Sequence, residues 1–255
     1  MPPSRPSVII VAHGSSISER AHEAAVQHAF ILRQSNRYGA VDVCFLAQQK
    51  DCPQLPEGEI FLLPFFMSNG YFVTNRIPDL FCLEAGERIE ADRRLYQCDA
   101  LGMDPELANI ITVMGHEVCR SQSYDSKQVH LVLVAHGSET SKASSETAFL
   151  QRNAVEERGE FGEVSVTFLN EPPYLEDWLA MRSEDGRPLI FVGMFAADGP
   201  HASEDVPAAL DRWRAKFPSL IKAHYVGAVG TRPEIVRLIQ HSISRCMAIG
   251  PRKVR

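Results

Sequence analysis

Two nearly identical hexapeptides, Val11-Ala12-His13-Gly14-Ser15-Ser16 and Val134-Ala135-His136-Gly137-Ser138-Glu139, stand 123 residues apart in a chain of 255. Each follows an apolar run and precedes a stretch with helical spacing. A parallel strand covered on both faces reads as such a run, and residues just past its carboxyl end line the ligand crevice of an open α/β sheet. An imidazole is therefore delivered twice to such a crevice. Other landmarks recur in the same order. Phe45-Leu46 and Phe168-Leu169 lie equally far from their histidines, Gly70…Ile77-Pro78 matches Gly199…Val206-Pro207, and Leu101-Gly102…Pro105-Glu106-Leu107 matches Val229-Gly230…Pro233-Glu234-Ile235. The chain is an internal duplication.

The periodicity predicts strands at 7–12, 41–47 and 60–66 with helices at 18–34, 75–87 and 104–119, then strands at 129–135, 164–169 and 189–195 with helices at 141–158, 203–216 and 233–244. Alternating strand and helix implies an α/β fold of two similar lobes, each a parallel sheet flanked by helices. The polar segment 120–127 joins them, giving lobes at 1–122 and 128–255. Two such lobes are expected to face a shared cleft.

The hydrophobic fraction of 45% and charged fraction of 23% are those of a soluble globular chain, and no run approaches the about 18 apolar residues of a membrane span. The N-terminus carries no signal-peptide pattern, so a cytoplasmic location is expected. The net charge of −6 argues against nucleic acid as partner. The six cysteines form no CxxC pair and read as buried, reduced thiols.

Three chemically competent groups fall at three matched strand ends of the second half: His136, Glu171 just past 164–169, and His201 in Gly199-Pro200-His201-Ala202-Ser203-Glu204-Asp205-Val206-Pro207. Two imidazoles and a carboxylate suit a divalent first-row metal with open positions for a substrate. Each taken singly is the ordinary furniture of a loop; the conjunction carries the argument. The first half offers Gln48 opposite Glu171, Phe72 opposite His201 and Arg76 opposite Asp205, so one site, in the second half, is expected. Asp205 reads as an N-terminal helix carboxylate that could orient His201.

The pattern V-x-H-G-S, F-L-x-E-x-P, G-x-H-x-x-x-D-[IV]-P resembles the class II tetrapyrrole chelatases, of the sirohydrochlorin cobaltochelatase and ferrochelatase type, in a fused double-length form covering nearly the whole chain. The resemblance implies that His136 and His201 bind or deliver the metal and deprotonate the macrocycle, with Glu171 as third catalytic group. Many members carry the carboxylate where Asn170 stands. It further implies a cobalt or iron ion as substrate, no organic cofactor, and a tetrapyrrole rich in carboxylates. Ser15 and Ser138 at helix starts and Arg76, Lys142 and Arg232 near the rim are candidate donors to those carboxylates. Phe72, with neighbouring aromatics, is a candidate wall for the flat ring. One chain carries both lobes, so a monomer suffices, with a homodimer left open. A non-enzymatic tetrapyrrole or metal carrier is the alternative on the same fold. A histidine phosphotransfer enzyme would carry arginine where Ala12 and Ala135 stand.

Overall fold

The computed structural model describes residues 5–14, 19–49, 51–182, 186–216 and 222–250. The first half runs β1 (Ser7–Ala12), α1 (Arg20–Gln34), β2 (Val41–Phe45), β3 (Gly58–Pro64), a π-helical turn (Phe72–Arg76), α2 (Ile77–Phe81), β4 (Glu87–Ile89), β5 (Arg93–Gln97) and α3 (Leu107–Gln122). The second runs β6 (His130–Ala135), α4 (Ala143–Glu157), β7 (Glu163–Phe168), α5 (Leu175–Ala180), β8 (Leu189–Gly193), a second π-helical turn (His201–Asp205), α6 (Val206–Lys216), β9 (Ala223–Ala228) and α7 (Ile235–Ile249).

The first sheet has the order β2-β1-β3-β5-β4 and the second β7-β6-β8-β9. All pairings are parallel except β4 against β5. With that short hairpin strand set aside, both sheets place the second strand of the half beside the first, then the third and fourth. The strand order reverses beside the first strand of each half, and the crevice at such a switch point, past the carboxyl ends, is where this architecture binds ligands. β1 and β6 are buried along their whole length, as strands covered on both faces must be. α1 turns Ala25, Ala29 and Leu32 inward at helical spacing. In the second sheet Val132, Val134 and Phe191 pack with Trp178 and Trp213, and each such side chain contributes about 1.5–3 kcal/mol by leaving water.

The duplication holds at the level of single hydrogen bonds. Leu46 N–H donates to Ala12 O at 2.9 Å and Leu169 N–H to Ala135 O at 3.1 Å. Phe65 N–H donates to Val11 O and Met194 N–H to Val134 O, both at 2.7 Å. Gly102 and Gly230 each donate to the residue that ends the third strand's extension, Phe66 O at 3.0 Å and Phe195 O at 2.9 Å.

Several elements differ from the sequence expectation. Residues 75–87 do not form one helix; α2 stops at Cys82, which adopts a left-handed conformation with φ 52°, and the chain enters the β4–β5 hairpin. β5 and β9 were not expected because their sequences lack an apolar run: Arg93-Arg94-Leu95-Tyr96-Gln97 buries only alternate positions, and β9 lies at a sheet edge with its interior half-buried. α5, following two prolines, was also unexpected. Cys44, Cys98, Cys119 and Cys246 are buried as expected, whereas Cys82 is exposed. Burial pushes the Cys44 thiol up to about 11, with Cys52 adding to the effect, so it is no nucleophile at neutral pH.

The compact units also divide the chain differently from the boundaries 1–122 and 128–255. One holds Met1–Asp104 with Pro233–Arg255, and the other Pro105–Arg232. α7 thus packs beside α1, and α3 beside α4. Sequence order alone assigns each helix to the sheet that precedes it, and the two helices follow the same Gly…Pro-Glu signature, so periodicity carries no contrary signal.

A Cβ added at Gly102 would run into the backbone of Met67, and one at Gly230 into the backbone of Ala196. Backbone cannot swing aside as a side chain does. Gly102→Ala and Gly230→Ala are therefore each expected to lower stability by about 1–3 kcal/mol, measured by urea unfolding.

Candidate metal centre

His136 follows β6 and His201 follows β8, the two strands that flank the switch point of the second sheet. His136 is anchored by its own backbone: its carbonyl accepts from Asn170 N–H at 2.9 Å. Gly137 takes φ 78°, a left-handed conformation suited to glycine, and a Cβ there would lie 2.9 Å from Glu171 Cγ. His13 and Gly14, with φ 73°, repeat this corner in the first unit.

His201 opens the second π-helical turn, and proline accounts for the turn. Pro207 has no N–H to donate one turn back, and its ring crowds the carbonyl it would have met. The turn widens by one residue, and Val206 N–H donates instead to His201 O. Pro78 does the same in the first unit, where Ile77 N–H donates to Phe72 O.

The imidazoles meet. His136 Nε2 and His201 Nε2 lie 3.1 Å apart, with ring centroids separated by 4.4 Å and planes at 73°. Both Nδ1 atoms face acceptors: that of His136 lies 2.8 Å from Gly137 O, and that of His201 lies 2.6 Å from Asp205 Oδ2. A ring that donates through Nδ1 keeps its lone pair on Nε2. In the tautomer in which both Nδ1 atoms donate, two lone pairs face one another at 3.1 Å, and a cation between them would satisfy both. Metal–imidazole bonds of about 2.0–2.1 Å drawn to both nitrogens would subtend about 100°, an angle compatible with tetrahedral or cis-octahedral coordination. Asn170 Nδ2 approaches His136 Nε2 at 3.1 Å and closes the third side.

Glu171 does not join the pair as expected. Its Oε1 accepts from Ser138 N–H at 3.0 Å, because the left-handed Gly137 aims that N–H at the carboxylate. Asn170 stands in its place beside His136. The same bond occupies the Ser138 N–H, and the Ser138 hydroxyl lies 3.3 Å from Thr140 Oγ1. Among the described residues no group of three or more His, Cys, Asp or Glu is arranged to hold an ion. Ser15 lies outside the described residues. Arg76 donates to Gln49 O at 2.9 Å, and Arg232 pairs with Glu117 at 2.7 Å.

In the first unit the Phe72 ring meets His13 edge-on at 4.6 Å, occupying the place that His201 holds against His136. Phe66 stacks on it at 5.9 Å. The first unit keeps the corner, the histidine and the wide turn, and has an aromatic ring where the second donor would be.

Beside His201 opens a recess of about 490 Å³, lined among others by Asn170, Tyr174, Asp205, Ala209 and Arg212. Arg212 is paired with Glu176 on its rim at 2.5 Å. The signals for Asn170 and for the β9 edge were weak in sequence: an amide carries no charge pattern, and only its position next to Glu171 pointed to it.

Fold and site together define a duplicated α/β protein with one imidazole pair at a switch point. The chain belongs to the CbiX family, whose model matches residues 7–114 and again 130–246. It is 26% identical, over 89% of its length and 87% of the relative's, to a protein of Halobacterium salinarum described as a probable sirohydrochlorin cobaltochelatase. Among solved structures it resembles a multi-domain protein of Deinococcus radiodurans with structural similarity to chelatases (TM-score 0.78, 23% identity, 94% of this chain) and spans 55% of that protein's length. It also resembles CbiX, the terminal enzyme of siroheme biosynthesis in denitrifying bacteria (TM-score 0.70, 22% identity, 94% of this chain and 99% of that one).

Removing the carboxylate that holds the His201 ring leaves both donors in place but frees one to rotate. Asp205→Ala is expected to weaken cobalt binding about 10–100-fold, with Asp205→Asn, which can still accept from Nδ1, retaining most of it; calorimetric titration of cobalt checks both.

Proposed function

We propose that this chain is a lyase-type chelatase that inserts a divalent metal, cobalt or iron, into sirohydrochlorin or a closely related tetrapyrrole, with the metal presented by His136 and His201. The observation that carries the reading is the facing pair of Nε2 atoms 3.1 Å apart, each ring with an acceptor behind its Nδ1. The activities described for the relatives agree with it.

Insertion removes two pyrrole protons for each divalent ion delivered, so net charge is conserved as two protons leave and one doubly charged ion enters. A protein that must release its ion to four ring nitrogens should grip it with few donors. Two imidazoles leave most of the coordination sphere to water and then to the macrocycle. Once the ion has moved, the vacated Nε2 atoms are placed to accept the pyrrole protons. Asp205 and Gly137 O keep the rings turned toward the ion throughout, and Asn170 supports His136. The recess beside His201 gives a hydrated ion an approach to the pair. Glu171 holds the Gly137-Ser138 corner rather than the metal. Ser138 Oγ is assigned to the substrate's carboxylates.

No helix among the described residues is long and apolar enough to cross a membrane. We place the protein in the cytoplasm, where buried free thiols such as Cys44 and Cys119 persist, and as a monomer, since one chain carries both lobes.

The test is the change in macrocycle absorption when cobalt is added to purified protein and sirohydrochlorin. His136→Ala and His201→Ala should each slow insertion by about 10²-fold or more, while His13→Ala, in the unit without a second donor, should leave the rate within about twofold of wild type. A protein that binds sirohydrochlorin yet never accelerates metal entry is a carrier, and that result overturns the proposal.

A further inference from the structure

The two units are closed by helices that could, by their apolar pattern, be interchanged. At an offset of 128 residues the buried positions Leu107, Ala108, Ile110, Ile111, Met114 and Gly115 of α3 coincide with Ile235, Val236, Leu238, Ile239, Ser242 and Ile243 of α7. Each helix is also entered by the same turn, in which Asp104 corresponds to Arg232. Yet α7 closes the unit built from the first sheet, and α3 the unit built from the second.

A pair of charged positions sets them apart most sharply. In the first unit Arg245 Nη2 lies 2.8 Å from Asp104 Oδ2, with His241 Nδ1 3.7 Å from the same oxygen. In the second, Arg232 Nη2 lies 2.7 Å from Glu117 Oε1. Asp104 and Arg232 are equivalent at the offset of 128, and so are Glu117 and Arg245 (232 − 104; 245 − 117). The two ion pairs are thus one pair, repeated with its charges reversed. If each helix returned to the sheet that precedes it in sequence, Asp104 would meet Glu117 and Arg232 would meet Arg245. Both contacts would be between like charges.

We infer that charge at this repeated position decides which of the two matching helices docks on each unit: the first unit's surface takes the basic helix α7 and rejects the acidic α3, and the second does the reverse. The setting gives the charge leverage. Asp104 is 1% exposed, and a carboxylate so buried is costly without a cation in bonding reach and costlier beside a second carboxylate. Shape adds to the distinction at Gly115, which accommodates the Phe161 ring. Specificity of this kind comes from what the wrong partner would meet as much as from what the right one gains.

The experiment refolds the full chain and reads which helices touch through NOEs in a methyl-labelled sample. Wild type should show α1–α7 and α3–α4 contacts alone. Glu117→Arg with Arg245→Glu sets like charges in the native arrangement and opposite charges in the other; it should lose the α1–α7 and α3–α4 NOEs. Adding Asp104→Arg and Arg232→Asp restores opposite charges without altering any apolar contact and should restore both sets. Asp104→Arg with Arg245→Asp alone satisfies every pair in either arrangement and should refold to two species, the second marked by α1–α3 NOEs. Retention of wild-type NOEs in the first variant, or a single wild-type species in the last, would overturn the inference, leaving the ion pairs as clamps and shape as the selector. Should the first variant fail to fold, recovery in the fourfold variant and the second species in the last still decide it.

Discussion

An imidazole has two nitrogens, and the chemistry of this protein depends on committing one of them. His136 turns its Nδ1 side to the carbonyl of Gly137 and His201 turns its own to Asp205, so the remaining nitrogens face one another 3.1 Å apart. Neither ring alone would amount to a site. A histidine at the end of a strand is usually a hinge pin of its loop, as His13 is. What sets the second corner apart is a second ring brought edge to face with the first, and the fold supplies it by seating the two residues after neighbouring strands at the reversal of strand order.

Much of this was legible in the amino-acid order. The duplicated corners, the apolar strands β1, β3, β6 and β8, and the pairing of His136 with His201 all follow from motifs whose physics is local. The expectation weakened where structure depends on what lies across space. β5 and β9 carry too few apolar residues to announce themselves, because half of each faces a sheet edge or a hairpin. Glu171 looked like a ligand because it has the right chemistry one residue from the right place; the handedness of Gly137 sent it to a backbone N–H instead. The assignment of α3 and α7 to units was invisible to periodicity, since the two helices share one apolar pattern.

The duplicated halves have diverged by replacement of side chains on a conserved backbone. Corresponding hydrogen bonds at the strand ends agree to within a few tenths of an ångström, while the groups they position have changed from imidazole to phenyl and from carboxylate to guanidinium. Phe72 still meets its histidine in the same edge-on manner as His201 meets His136. The geometry belongs to the scaffold, and the reactivity belongs to two or three substitutable positions on it.

Because each wide turn is produced by a proline and not by the residues it displays, it outlives them. Pro78 bends the chain at Phe72–Arg76, where a phenyl ring stands first in the turn, as Pro207 does where an imidazole stands first. Both units therefore carry the same curvature, and the side chain at its first position can be exchanged without reshaping the backbone.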